Sequence, residues 1–478
     1  MARKAVVVGS GPNGLAAAIT LARAGLDVVV HEASERIGGG MRTDELTLPG
    51  FRHDVCSAIH PLGRSSPGFR ELELDVEWLE SPACVAHPFD DEEAALLVRS
   101  VDETAAGLGA DADAYRSLVG PLAQRWRSVE QVLLAPFPFH PRAPLRLVQE
   151  LGLACSARTL RAALGPARAV AERTFSTERG RALFAGNAAH SLLPLERRPS
   201  SAFALALLAL GHAVGWPLAR GGSQALADAL ADCLRASGGE IRTSSPVDEL
   251  PRADVVLCDV SPRELLRLAG ARVPERYARG LRRFRHGPGA FKLDWALAGP
   301  IPWRDERCAE AATVHLGGSL DEIVASERAP CEHGHVAERP FVLLAQPSLW
   351  DDTRAPAGRH TGWAYCHVPN GSTVDMTDAI ESQVERFAPG FRGLILARSA
   401  GGPADLEAHN RNLVGGDLNG GSMDLRQLYA RPVLSRVPYR TPMPGVYLCS
   451  ASTPPGGGVH GMCGFAAAKA ALRDLGLR

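Results

Sequence analysis

The run Ala5-Val6-Val7-Val8-Gly9-Ser10-Gly11-Pro12-Asn13-Gly14 leads into a helical segment, a second apolar run Val28-Val29-Val30, and then Glu32. The order strand, glycine turn, helix, strand, acid is that of a dinucleotide-binding βαβ unit. Gly9 permits the turn, Gly11 lets a pyrophosphate approach the backbone at the positive end of the helix, and Gly14 lets the helix pack closely on the sheet. Glu32 is placed to hold the two hydroxyls of an adenosine ribose, and a carboxylate there disfavours a 2′-phosphate. A glycine-rich turn in an ordinary α/β protein would explain the glycines alone, but not the acid in this order.

Glu35-Arg36-Ile37-Gly38-Gly39-Gly40-Met41-Arg42-Thr43 continues past the second strand with three glycines and two arginines. This stretch resembles the second FAD fingerprint of the flavin amine oxidase and phytoene desaturase superfamily. One departure is Gly40, which stands where that pattern has arginine; Arg42 supplies the charge two residues later. The resemblance implies FAD rather than NAD, with Arg36, Gly38, Gly39 and Arg42 at the cofactor.

Near the other end, Pro444-Gly445-Val446-Tyr447-Leu448-Cys449 reads as a short buried strand. It is followed by Ser450-Ala451-Ser452-Thr453-Pro454-Pro455-Gly456-Gly457-Gly458-Val459-His460-Gly461 and an Ala-rich helix from about Met462. The segment resembles the C-terminal flavin motif of the desaturase branch, which implies that Ser452, Gly458, Val459, Gly461 and Met462 meet the flavin. A helix start there would stabilise negative charge on the pyrimidine edge of a reduced ring. Arg220-Gly221-Gly222-Ser223 with the following helix, and Pro246-Val247, resemble the superfamily's glycine-led helix and the strand whose valine, here Val247, contacts adenine. Ala253 to Asp259 resembles the strand that returns beneath the nucleotide. The resemblance runs nearly end to end for the group named pyridine nucleotide-disulfide oxidoreductase domain-containing protein 2.

These pieces imply an α/β fold in which a Rossmann-like FAD-binding domain (residues 1–65, 217–265 and 440–478) is interleaved with a substrate or cap domain (66–216 and 266–439). The first insertion reads as mostly helical, with periodic segments at 112–134 and 145–175. The second carries strand-like runs at 290–297 and 341–345, consistent with a mixed sheet facing the flavin.

The 478 residues are 45% hydrophobic and 22% charged, with a formal net charge of −1. Such a chain can bury two cores and presents no global electrostatic case for nucleic acid. Ten cysteines without a CxxC motif read as reduced core residues of a cytoplasmic protein. The start lacks a signal peptide's charged and apolar regions, and no apolar run reaches the ~18 residues of a membrane span. The Arg/Leu/Ala helices between 142 and 183 leave peripheral membrane contact open, with Phe137, Phe139, Leu145, Leu147 and Val148 as an apolar lip. Oligomeric state is not readable.

Lys292 is the first catalytic candidate. It sits in an apolar strand ahead of Trp303, and in flavin amine oxidases a lysine in a similar strand holds a water against flavin N5. The alternative reading is a structural pair with Asp294 on the same strand face. His460, in the flavin-facing turn, is the second candidate; otherwise it caps the C-terminal helix. His190 and His212 read as core histidines, and Tyr365 and His367 lie on a strand that could line the chamber. Cys331, His333 and His335 have ligand spacing but no fourth partner, so no metal is expected.

The leading expectation is an FAD-dependent oxidoreductase that abstracts a hydride from an apolar small molecule and passes electrons to dioxygen or a quinone. Amine oxidation, redox-neutral isomerisation and a non-enzymatic role like that of the GDP-dissociation inhibitors, which have a similar fold, are the alternatives.

Overall fold

The computed structural model describes residues 3–134 and 141–477. β1 (Lys4–Val8) feeds α1 (Pro12–Arg23), which returns to β2 (Asp27–His31). Pro12 at the first helical position donates no N–H and pre-sets the helical φ, so the helix starts where the glycine turn ends. A five-stranded sheet forms in the order Val446–Leu448, Val255–Cys258, β1, β2, Glu240–Arg242. All four pairings are parallel, so the carboxyl ends of strands far apart in the chain meet along one edge, where doubly wound folds bind ligands.

Small residues bring the layers of this unit together. An ideal Cβ at Gly14 would lie 2.1 Å from the Gly9 carbonyl oxygen, and one at Gly464, on the C-terminal helix Met462–Asp474, would lie 1.7 Å from the Asn13 oxygen. The two helices therefore touch backbone to backbone. Their alanines join Leu15, Ile19, Val28 and Val30 in one core.

A second sheet of seven strands runs Ile395–Gly401, Gly289–Leu297, His360–Val368, Val342–Ala345, Ala311–Leu316, Ala83–His87, Ala95–Val98. Its pairings are antiparallel except for Ala83–His87 against Ala311–Leu316. The 66–216 insertion is helical over most of its length, yet it also contributes the two strands at 83–98. The sequence disguises Ala83-Cys84-Val85-Ala86-His87, because a run buried at every position has no alternation to mark it as a strand.

A buried ion cluster ties the nucleotide unit to the loops of the second sheet. Arg354 donates to Asp54 and Asp351, all three are fully buried, and Asp54 also accepts from Thr43 Oγ1 and the Ser223 amide. Among the described residues no helix is long and apolar enough to cross a membrane. Of the apolar lip, Phe137 and Phe139 lie outside the described residues, Leu145 is exposed, and Leu147 and Val148 are half-buried. All ten cysteines are free thiols.

Candidate functional site

A cleft of about 770 Å³ begins at the carboxyl edge of the parallel sheet and runs to the face of the second sheet. This volume lies within the range of roughly 300–1,000 Å³ usual for ligand sites. At the first end it is lined by Gly9, Gly11, Glu32, Gly39, Arg42 and Val247; Ser450, Ser452, Gly458 and Val459 follow; His190, Trp216, Trp363 and Tyr365 lie at the other end.

The glycine turn is built as the spacing requires. Gly9 has φ +101, a conformation that only glycine adopts freely, and an ideal Cβ on Gly39 (φ +56) would come within 3.1 Å of Gly11 Cα. Gly11 caps α1 without any side-chain bond of its own. Glu32 is buried: Oε2 accepts from the Ser10 amide and hydroxyl at 2.9 and 2.5 Å, and Oε1 accepts from the Ser34 amide at 2.9 Å. Arg42 Nη2 lies 3.4 Å from Glu32 Oε1. The buried Arg42 Nε has no hydrogen-bond partner. An orphaned guanidinium nitrogen beside an uncapped helix start is suited to an anionic diphosphate.

Asp259 is the residue that sequence reading missed. It follows strand Val255–Cys258, and its Oδ2 accepts the Gly14 amide at 2.9 Å, 245 residues away in the chain. An ideal Cβ at Gly11 would sit 2.8 Å from the same oxygen. Burial, with a smaller push from Glu32, raises the carboxyl to about 7 despite the Gly14 bond. A protonated acid at that place coexists with a diphosphate, whereas a carboxylate opposes it. The residues present therefore fit a dinucleotide cofactor: Glu32 would hold a ribose, and Arg42 with the α1 start would hold a diphosphate.

Several expected residues stand elsewhere. Arg36 points away from the cleft, pairing with Asp44 at 3.1 Å and donating to the Thr43 carbonyl. Gly38 (φ +115) packs against Ala227 of helix Ser223–Ala236 instead of lining the cleft. Val247 lines the cleft from an irregular segment beyond strand Glu240–Arg242, not from a strand. Gly461 is the N-cap of the C-terminal helix at φ +67, and the Met462 sulfur accepts the Gly68 amide at 3.2 Å. Neither lines the cleft.

The two catalytic candidates are also displaced from the cleft surface. His460 does not line it: its Nδ1 accepts the Met462 amide at 3.0 Å, so the ring caps the helix, and burial lowers it to about 4. Lys292 is buried in strand Gly289–Leu297 and pairs with Asp294, the structural alternative. Its Nζ lies 5.8 Å from the centre of the Trp363 ring, which lines the cleft, whereas Lys292 does not. Burial pushes Asp294 up to about 6, against the pull of Lys292. Trp303 lies apart, donating to Gln346 Oε1 at 3.0 Å.

Among the other candidates, His212 Nε2 lies 2.7 Å from the Tyr115 hydroxyl, a core contact, and His367 Nδ1 is 2.7 Å from Glu327 Oε2. Tyr365 lines the cleft. Among the described residues, no group of three or more His, Cys, Asp or Glu side chains is arranged to hold a metal ion.

Comparison with known proteins follows the same lines. A family model described as an NAD(P)-binding Rossmann-like domain matches residues 7–72. Pyridine nucleotide-disulfide oxidoreductase domain-containing protein 2 of Rattus norvegicus is 28% identical, covering 98% of this chain and 93% of its own length. A solved oxidoreductase from Methanosarcina mazei superposes with a TM-score of 0.64 at 16% identity, over 98% of this chain and 100% of the other. Putrescine oxidase bound to putrescine gives 0.61 at 16% identity, over 100% and 99%. The chain is thus similar over nearly its whole length to pyridine nucleotide-disulfide oxidoreductase domain-containing protein 2, matches a Rossmann-like domain model at residues 7–72, and has the fold of the solved amine oxidase and oxidoreductase it superposes on.

Proposed function

We propose that the protein is an FAD-dependent oxidoreductase that takes a hydride from an apolar organic substrate and passes the electrons to dioxygen or a quinone. In this reading residues 1–65, 217–265 and 440–478 hold the cofactor, and 66–216 with 266–439 enclose the substrate. The observation that carries it is the continuity of the cleft. Its anion-binding end, with Arg42 and the α1 start, opens past the 450–459 loop into a chamber walled by Leu207, Trp216, Leu343, Trp363 and Tyr365. Bound FAD supplies hydride acceptance at N5. The chain's own contribution is to hold the diphosphate with Arg42 and backbone amides, to fix the ribose with Glu32, and to exclude water from the chamber with aromatic walls.

Amine oxidation is the second reading, favoured by Trp363 and Tyr365. They project from one strand into the cleft with ring centroids 5.3 Å apart at 75°, and aromatic faces attract a cationic nitrogen. Anaerobic titration of the oxidised holoprotein with alkenes, saturated lipids and long-chain amines separates the readings. Bleaching by one class names the chemistry; amines alone would favour oxidation at nitrogen. A holoprotein that no class bleaches, yet that turns one over only when pre-reduced, would replace the proposal with isomerisation.

A further inference from the structure

Of the eleven large apolar side chains exposed among the described residues, five fall within residues 133–164: Leu133, Leu145, Leu153, Leu160 and Leu164. Singly exposed leucines are ordinary, but a cluster drawn from one short stretch is not. Helices Ala143–Leu151 and Leu153–Ala163 meet at Gly152, where φ of +76 turns the chain. On the second helix, Leu153, Ala157, Leu160 and its C-cap Leu164 follow the i, i+4, i+7, i+11 spacing of one helix face, and all four are exposed. Leu153 is 81% exposed and Leu160 59%. Ala162, on the opposite face, is buried. The result is an apolar stripe about 16 Å long with no protein against it, at a rise of ~1.5 Å per residue.

The charges beside this stripe choose its occupant. The second helix carries Arg158 and Arg161 and no acid. Residues 141–164 as a whole contain four arginines and one acid, Glu150, a formal charge of +3 in a chain whose net charge is −1. Glu150 is taken by Arg146 at 3.1 Å. Arg142 and Arg161 are exposed and have no carboxylate partner among the described residues. Arg158 donates to the Ser117 carbonyl of the neighbouring helix Ala112–Gln124, whose Asp113 is already paired, with Asp102, to Arg116. A second copy of this chain set on the same stripe would bring arginine toward arginine with no acid on either helix to answer them. An anionic bilayer meets both features. Its acyl boundary accepts the leucines, and its headgroups accept guanidinium groups whose alkyl stems lie along the apolar surface.

We infer that helix Leu153–Ala163 docks on an anionic membrane surface, lying in its plane with Leu153, Leu160 and Leu164 in the acyl boundary and Arg161 among the headgroups. Docking of this kind is independent of the oxidoreductase reading. Under that reading it sets the chamber beside the phase in which an apolar substrate dissolves, because the docked helix packs on Ser200–Val214, whose Leu207 lines the chamber.

The test is co-sedimentation of the full chain with large phosphatidylcholine vesicles, with and without phosphatidylserine. Expected is binding to the mixed vesicles that weakens as salt is raised. It should fall about tenfold or more when Leu153→Ser and Leu160→Ser are combined, and about fivefold in Arg161→Gln. Hydrogen exchange of the wild type reads the same contact without any substitution: mixed vesicles should add protection across residues 153–164. No binding by the wild type, equal binding to pure phosphatidylcholine, binding undiminished in the leucine variant, or added protection confined to other residues would each overturn the inference. A wild-type dimer in sedimentation equilibrium that the leucine variant dissolves would assign the stripe to a second copy and overturn it as well.

Discussion

Asp259→Asn should make the protein more stable relative to wild type as the pH rises. In the wild type the carboxyl lies under the glycine turn, accepts the Gly14 amide at 2.9 Å and is pushed up to about 7 by burial, while an unfolded chain has the ordinary value of 3.8. The folded form thus binds the proton more tightly, so its stabilising contribution is complete below about pH 4 and is lost progressively as pH rises to about 7. The whole loss is ~4 kcal/mol at about 1.36 kcal/mol per tenfold, most of it falling between pH 5 and pH 8. For a chain of 478 residues, an unfolding entropy of about 2.1 cal/mol/K per residue gives ~1 kcal/mol/K. The gap in Tm between variant and wild type should therefore widen by ~2–3 °C from pH 5 to pH 8, because asparagine keeps an acceptor for Gly14 but never ionises. FAD affinity should show the same trend, since a diphosphate at the α1 start opposes the charged form. Thermal melts and FAD titrations at both pH values check this. A gap that stays flat, or that narrows with pH, refutes the argument.

Arg42→Met removes the cleft's orphaned guanidinium and should weaken FAD binding by ~1.5–3 kcal/mol, about 10- to 150-fold, measured by equilibrium titration. Lys292→Met leaves Asp294 buried without its partner and should cost ~3–5 kcal/mol in urea denaturation, whereas Lys292→Met with Asp294→Leu should recover most of it. His460→Ala should cost ~1 kcal/mol through the lost helix cap while leaving the flavin spectrum of the reconstituted protein in place. Gly464→Ala drives a methyl into the Asn13 carbonyl and should lower Tm or abolish folding, since the contact is with backbone that cannot turn aside; a melt unchanged from wild type would contradict the close helix packing.

What the sequence made legible was what is local. Gly9, Gly11, Gly14 and Glu32 lie within one βαβ unit, where period and spacing alone specify the turn and the acid, and the cleft begins there. Arg42 is readable only through the resemblance, as the charge displaced from Gly40, and in the structure it is buried beside Glu32. Arg36 has the same chemistry, yet Asp44, eight positions further on, draws it outward. For His460 the sequence leaves a flavin contact and a helix cap equally open, and only the fold turns the ring back onto the Met462 amide. The strand ending at Asp259 is legible through the resemblance, but the role of the Asp259 carboxyl is not, because its partner Gly14 lies 245 residues away. The His190–His315 contact is hidden for the same reason, because the two residues lie 125 positions apart and meet only in the folded chain.

The most direct test of the central claim is the visible spectrum of the purified protein, before and after incubation with FAD, with the chromophore released by denaturation and identified by chromatography. The account predicts flavin bands and one FAD released per chain, with the bands lost or weakened in Arg42→Met. A folded wild-type protein that stays colourless with excess FAD would contradict it and move the chain to a binding role without flavin chemistry.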